Sequence, residues 1–167
     1  MDNWLDNANH HYYALYPPQF RAQYQGWSAA RNNGETVSVE LTSLIARICA
    51  SSTQFLPLDG SLKLRLESEL RGGVSSFNKR MHAVANKLNK CIPTSRGTII
   101  QVQQAILAAY WYKCEELWVD AWHELGKAMS VAYELGRVDI LLLAHPFSLS
   151  VSLSLSLGVL VPVSEAF

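Results

Sequence analysis

The chain has 167 residues, of which 49% are hydrophobic and 17% are charged, with 14 basic residues against 14 acidic ones. This balance excludes a disordered tail, which needs low hydrophobicity and high net charge, and a strongly basic domain that clamps phosphates. Three cysteines without a Cys-x-x-Cys pair exclude a disulfide scaffold and a zinc site built on that spacing. The composition therefore predicts one intracellular globular domain and leaves its function open.

Apolar residues recur at the helical spacing in three consecutive segments near the start of the chain. We expect the first segment to end at Pro17-Pro18, the second at Asn32-Asn33-Gly34 and the third near Pro57. Their inward-facing stripes are Trp4, Leu5, Ala8, Tyr12 and Leu15; then Phe20, Tyr24 and Trp27; then Leu41, Leu44, Ile45, Ile48, Cys49 and Ser52.

From Leu70 onward, successive apolar residues are separated alternately by four and by three positions. This spacing predicts a helix whose apolar face packs against a neighbouring helix. Gly72-Gly73 predicts a kink or a break between two helices within it, Thr98 a helix N-cap, and Gly136 the residue just past a helix end. The stripes are Leu70, Val74, Phe77, Met81, Val84, Leu88 and Cys91; then Ile99, Val102, Ile106, Ala109 and Tyr110; then Trp118, Ala121, Trp122, Leu125, Met129 and Ala132. No strand pattern precedes Gly136, so the predicted fold is all-α.

The composition changes abruptly after Gly136. The stretch Ile140–Ser164 carries no charge, and Ser148–Leu157 is almost a Ser-Leu alternation. A membrane span, an added strand and a low-complexity segment all fit this pattern, and we favour the last. We therefore expect a helical domain over residues 1–136 and an irregular or low-complexity tail over residues 137–167.

The best metal-like cluster is Glu116, Asp120, His123 and Glu124, which helical spacing places on one face. A di-metal bundle needs the acid-x-x-His element on two helices, and no second copy occurs. A solvated face with a Glu124–Lys127 ion pair is the simpler interpretation. We predict no catalytic, cofactor-binding or metal-ligating residue, no cofactor and no enzyme activity, and we identify no ligand-binding residue.

Other reactive residue types have ordinary interpretations. We interpret His82 as a boundary residue, Cys49 and Cys91 as core positions, and Lys113 as a weak influence on Cys114. His10-His11 fits an exposed helix face. The basic residues Lys79, Arg80, Lys87 and Lys90 are too sparse for a nucleic-acid stripe and fit a solvated face.

The aromatic residues between Tyr110 and Trp122 allow two interpretations. They can line a small-molecule pocket between helices or, as we favour, fill the core. In this interpretation Trp122 points inward, and its replacement by alanine removes about 3–5 kcal/mol of stability.

Several motifs follow one another in an order that resembles the regulatory middle homology domain of fungal zinc-cluster transcription factors. The resemblance covers about residues 10 to 136. The motifs are Leu44-Ile-Ala-Arg-Ile-Cys-Ala50, Gln54-Phe-Leu-Pro57, Gly97-Thr98 with Val102-Gln103, Ala109-Tyr-Trp-Tyr-Lys-Cys-Glu115, Ala121-Trp-His-Glu-Leu-Gly-Lys-Ala128 and Ala132-Tyr-Glu-Leu-Gly136. The aromatic lead-in Tyr12-Tyr13, Pro18-Gln-Phe20 and Tyr24-Gln-Gly-Trp27 also fits that domain.

The resemblance implies a truncated all-α regulatory domain that modulates transcription in the nucleus, through co-regulators, self-association or a small-molecule effector. The family reads DNA with a separate six-cysteine cluster that holds two zinc ions. This sequence lacks that cluster, so we expect no specific nucleic-acid contact from it. Residues from Arg137 onward are expected to be foreign to the domain, as translated intron or frameshifted sequence.

Two other functions remain open at this point. One is a helical ligand- or lipid-associated protein anchored to a membrane by the C-terminal apolar tract, although we expect no membrane association. The more remote one is a metal-dependent helical-bundle enzyme that uses Glu116, Asp120 and His123.

Overall fold

The computed structural model describes residues 2–56, 60–93 and 97–136, without the side chains of His11 and Tyr12, and every regular element in these ranges is a helix. The elements are α1 (Asp2–Asn7), α2 (Asn9–Tyr12), α3 (Pro17–Asn32), α4 (Val39–Ser52), α5 (Ser61–Glu69), α6 (Gly73–Asn89), α7 (Ile99–Cys114) and α8 (Trp118–Glu134). The prediction of an all-α fold is confirmed.

The chain divides into two compact units between Arg96 and Gly97. The first contains α1 to α6, and the second contains α7 and α8. The predicted tail, residues 137–167, lies outside the described residues. None of the helices in the described ranges is both long and apolar enough to cross a membrane.

In the first unit, α4 packs against α6, and α1 contacts the C-terminal end of α4. The Asn3 side-chain amide donates to the Ser52 carbonyl at 2.9 Å and to the Phe55 carbonyl at 3.1 Å. These bonds satisfy backbone acceptors that the end of a helix leaves unpaired. Trp4 is fully buried beside them and meets the Phe55 ring edge-on at 5.8 Å.

The first segment ends before Pro17-Pro18, as predicted, and Pro17 begins the next helix, α3. A proline fits the first turn of a helix because the N–H it lacks would have no partner there. The preceding segment already turns at Tyr13, whose φ is +47°. Asn9 closes that turn, since its side-chain amide donates to the Leu15 carbonyl and its side-chain oxygen accepts from the Leu15 N–H.

The predicted break at Gly72-Gly73 is confirmed. Both residues have left-handed backbone conformations, with φ of +85° and +75°, which glycine adopts without strain. The helix α5 before them was not predicted. Its Glu67 carboxylate accepts from the Val74 N–H at 3.1 Å and so satisfies one of the free donors at the start of α6.

The predicted buried face of α6 was wrong by about one position. The residues that α6 buries are Val74, Asn78, His82 and Ala85, whereas Val84 is 40% exposed. Cys91, just beyond the helix, is also exposed and not a core residue. The inner face contains polar residues because α4 presents polar groups to it.

In the second unit, both predicted helix boundaries are confirmed. The Thr98 hydroxyl accepts from the Gln101 N–H at 3.2 Å, which makes Thr98 the N-cap of α7. Gly136, with φ of +65°, follows the last turn of α8. Gly97 lies so close to α8 that an added Cβ would be 2.8 Å from a Val131 methyl group.

The buried face of α8 consists mainly of small residues: Ala121, Leu125, Ala128 and Ala132. Trp122 is 43% exposed and Met129 is also exposed, so their predicted inward orientation was wrong. Small side chains allow α7 and α8 to pack closely, and a large indole fits only outside that contact.

This orientation changes the expected effect of Trp122→Ala and makes Leu125→Ala the more destabilising of the two substitutions. Leu125→Ala should lower the free energy of unfolding by about 2–5 kcal/mol because it leaves a cavity. Trp122→Ala should lower it by less than about 1 kcal/mol, as is usual at a surface position. Denaturant unfolding followed by circular dichroism measures both, and a larger loss for Trp122→Ala would contradict the observed orientation of α8.

Candidate functional site: the polar contact between α4 and α6

Polar side chains join α4 and α6 at three levels along the contact. At one end, the Ser43 hydroxyl donates to the Ala85 carbonyl at 3.1 Å. At the other end, the Asn78 amide donates to the Ala50 carbonyl at 3.0 Å and to the Thr53 hydroxyl at 2.8 Å. Because positions late in α4 meet positions early in α6, the two helices run antiparallel.

The middle level is centred on Arg47, whose exposure is 1%. Its guanidinium donates to His82 Nδ1 at 2.8 Å and to Asn86 Oδ1 at 2.8 Å. Arginine has donors only, so His82 Nδ1 must be the unprotonated, accepting nitrogen. The imidazole is therefore neutral in this arrangement.

The surroundings of His82 reinforce that state. Burial, and secondly the positive charge of Arg47, lower the pKa of His82 from 6.5 to about 3. An imidazole with this pKa stays neutral near pH 7. The interpretation of His82 as a boundary residue was wrong, because the side chain is 5% exposed.

What this cluster can do is fix the position of one helix along the other. A buried charge is tolerated only where hydrogen bonds compensate its lost hydration, and such bonds are directional. A shift of α6 by one turn would replace the present partners of Arg47 and would move Asn78 away from the Ala50 carbonyl and the Thr53 hydroxyl. The polar contact thus specifies one register for the pair.

The metal-like cluster is not brought together. Glu116 lies before α8 with φ of +61°, and Asp120 and His123 are exposed. The Glu124 carboxylate pairs with Lys127, as the solvated-face interpretation predicted. In the described ranges, no group of three or more His, Cys, Asp or Glu side chains could hold a metal ion.

The environments of Cys49 and Cys114 do not activate their thiols. Burial raises the pKa of Cys114 to about 11, and the opposing influence of Lys113 is smaller. Burial also raises the pKa of Cys49. A thiol with a raised pKa is protonated and a poor nucleophile near neutral pH.

The aromatic cluster is divided between core and surface. Tyr110 and Trp111 are buried in α7, which fits the core interpretation for these two residues. Burial raises the pKa of Tyr110 to about 12. Tyr112 meets Trp111 edge-on at 5.3 Å, while Trp122 is exposed on α8. His10 is also exposed, as expected, and the side chain of His11 lies outside the described residues.

Two curated proteins are similar to four fifths of this chain. Transcription factor xilB of Penicillium rubens is 32% identical over 137 residues, which are 80% of this chain and 19% of that protein. The probable transcription factor sol4 of Alternaria solani is 27% identical over 138 residues, 80% of this chain and 23% of that protein. The chain is similar to a segment of fungal transcription factors.

The predicted resemblance to fungal transcription factors is thereby confirmed. The chain spans about a fifth of the length of these relatives. No family model matches the chain. No solved structure matches it either.

Sequence reasoning missed the polar contact, although two signals pointed to it. Arg47 interrupts an otherwise apolar inner stripe between Leu44 and Ile48. On α6, the residues Asn78, His82 and Asn86 follow one another at intervals of four, which places them on one helical face. A charged residue on one inner stripe and a row of neutral polar residues on another predict a buried polar contact.

The state of His82 leads to a pH dependence with a defined sign. Its pKa is lower in the folded chain than in the unfolded one, so the unfolded chain binds the extra proton first. The contribution of neutral His82 to the free energy of unfolding is complete above about pH 6.5. It declines by about 1.4 kcal/mol per pH unit as the pH falls towards 3, so the loss at pH 5 is about 2 kcal/mol.

Urea unfolding at a series of pH values measures this decline. His82→Gln keeps an acceptor for Arg47 but removes the titration, so its stability should change less between pH 7 and pH 5. His123→Gln, at an exposed position, is the matched control and should retain the full decline. Equal pH dependence in the original chain and His82→Gln would contradict this account.

Proposed function

We propose that residues 1–136 form part of the regulatory middle homology domain of a fungal zinc-cluster transcription factor. In this proposal the segment acts in the nucleus without enzyme activity, and it modulates transcription through contacts with other proteins or with an effector. The supporting observation is the similarity of 80% of the chain to two fungal proteins named as transcription factors.

The proposal assigns DNA reading to a different part of such a protein. The family reads DNA through six closely spaced cysteines, and this sequence has three cysteines in all. The chain is also electrically balanced, with 14 basic and 14 acidic residues, so a general attraction to phosphates is weak. A regulatory part without its own DNA contact fits both features.

The test is recruitment to a promoter. The full chain, fused to an unrelated DNA-binding module, should change the expression of a reporter gene by at least about threefold relative to the module alone. Fluorescence of a tagged chain should be nuclear in a fungal host. An unchanged reporter, with the fusion protein present at a normal level, would contradict the proposal.

Two variants show whether the folded unit is required. Leu44→Asp with Ile48→Asp places charges at two fully buried positions of α4 and should abolish the effect. Leu64→Asp changes an exposed leucine on α5 and should leave the effect intact. Equal activity of all three chains would show that the effect does not depend on this fold.

The proposed boundary near Gly136 is tested by truncation. Residues 1–136 contain sided helices, whereas the uncharged tract Ile140–Ser164 has the composition of an aggregation-prone segment. A chain that ends at Gly136 should therefore give at least as much soluble protein and as much helical circular dichroism as the full chain. A clear loss of helicity or soluble yield on truncation would show that the tail is integral to the domain.

A further inference from the structure

The basic and acidic residues are unevenly distributed along the sequence. Between Leu70 and Cys114 there is no aspartate or glutamate, although the chain has 14 acidic residues in all. The same stretch contains half of the chain's 14 basic residues: Arg71, Lys79, Arg80, Lys87, Lys90, Arg96 and Lys113. The stretch contains α6 and α7, and α6 carries three of its seven basic residues, Lys79, Arg80 and Lys87.

Four of these basic residues lie on the outward face of α6 and just beyond its end. Lys79, Arg80, Lys87 and Lys90 are all exposed, while the opposite face carries Asn78 and His82 into the contact with α4. At 1.5 Å per residue, the cations extend over about 16 Å along the helix axis.

Nothing in the described part of the chain neutralises these four charges by an ion pair. The acidic residues that precede α6 are engaged elsewhere, since Glu67 accepts from the Val74 N–H and Glu69 pairs with Arg65. The outward face of α6 therefore carries a net positive charge.

The centre of this face is apolar. Ala83 and Val84 are exposed midway between the pair Lys79-Arg80 and the pair Lys87 and Lys90. Val84 is four residues from Arg80 and three from Lys87, which makes all three neighbours on the helix surface. We call Lys79, Arg80, Ala83, Val84, Lys87 and Lys90 the cationic face.

We propose that the cationic face binds an acidic, amphipathic segment of a partner protein. Acidic side chains on either side of a hydrophobic residue would meet the cations at both ends while that residue covers Val84. A nucleic-acid backbone fits less well, because an apolar centre interrupts the row of cations that would follow its phosphates. This inference follows from the charges of α6 and does not rest on the proposed function.

The experiment measures binding of labelled probes to the full chain by fluorescence anisotropy. The first probe is a synthetic peptide with leucine and phenylalanine flanked by aspartate and glutamate. The second is a peptide of equal charge without apolar residues, and the third is a random-sequence DNA duplex. The first probe should bind most tightly, and its affinity should fall as the salt concentration rises.

Charge-reversal variants locate the binding surface. Arg80→Glu with Lys87→Glu should weaken binding of the first probe at least about tenfold, because attraction becomes repulsion at two positions. Lys63→Glu with Lys127→Glu makes the same change of net charge at exposed positions outside the cationic face, and its affinity should stay within about twofold. Val84→Ser should weaken binding of the first probe and leave binding of the second probe unchanged.

Circular dichroism and urea unfolding establish that each variant is folded. If Arg80→Glu with Lys87→Glu does not fold, Arg80→Gln with Lys87→Gln takes its place. Equal losses for the two charge-reversal pairs would overturn the proposal, since binding would then reflect net charge alone. Tighter binding of the duplex than of the first peptide, with no effect of Val84→Ser on either, would overturn it in favour of a nucleic-acid surface.

Discussion

The buried guanidinium of Arg47 is the constraint on which the first unit depends. A charge removed from water costs several kcal/mol unless hydrogen bonds replace its hydration. Here His82 and Asn86 supply acceptors at 2.8 Å, and both lie on α6. The location of one side chain on α4 thereby determines which residues of α6 face inward.

The same contact determines what α6 presents outward. Since residues 78, 82 and 85 face α4, helical geometry directs residues 79, 80, 83 and 87 away from it. A cationic surface and a buried polar contact are thus two sides of one helix in one register. An apolar seam through Phe77, Met81 and Val84 would instead have turned part of the cationic face towards the core.

Local chemistry made several helix boundaries predictable from the sequence. Thr98 caps α7, Gly72-Gly73 separates α5 from α6, and Gly136 follows the end of α8, each for reasons contained in a few neighbouring residues. The orientation of a helix depends on its partner and was less predictable. In α6 the polar residues of α4 attract Asn78 and His82 inward, and in α8 close packing favours alanines over Trp122.

The hydrogen bonds on the inner side of α6 also affect how its outer side can bind. Apolar contacts hold a surface helix through the fit of its side chains, and the hydrophobic effect itself has no direction. The three levels of polar contact with α4 oppose rotation or sliding of α6, since each movement would break bonds between buried groups. The cations are consequently anchored to a helix of fixed orientation, and only their side chains lose freedom when a partner binds. Less ordering on binding leaves more of the electrostatic attraction as affinity for the proposed acidic segment.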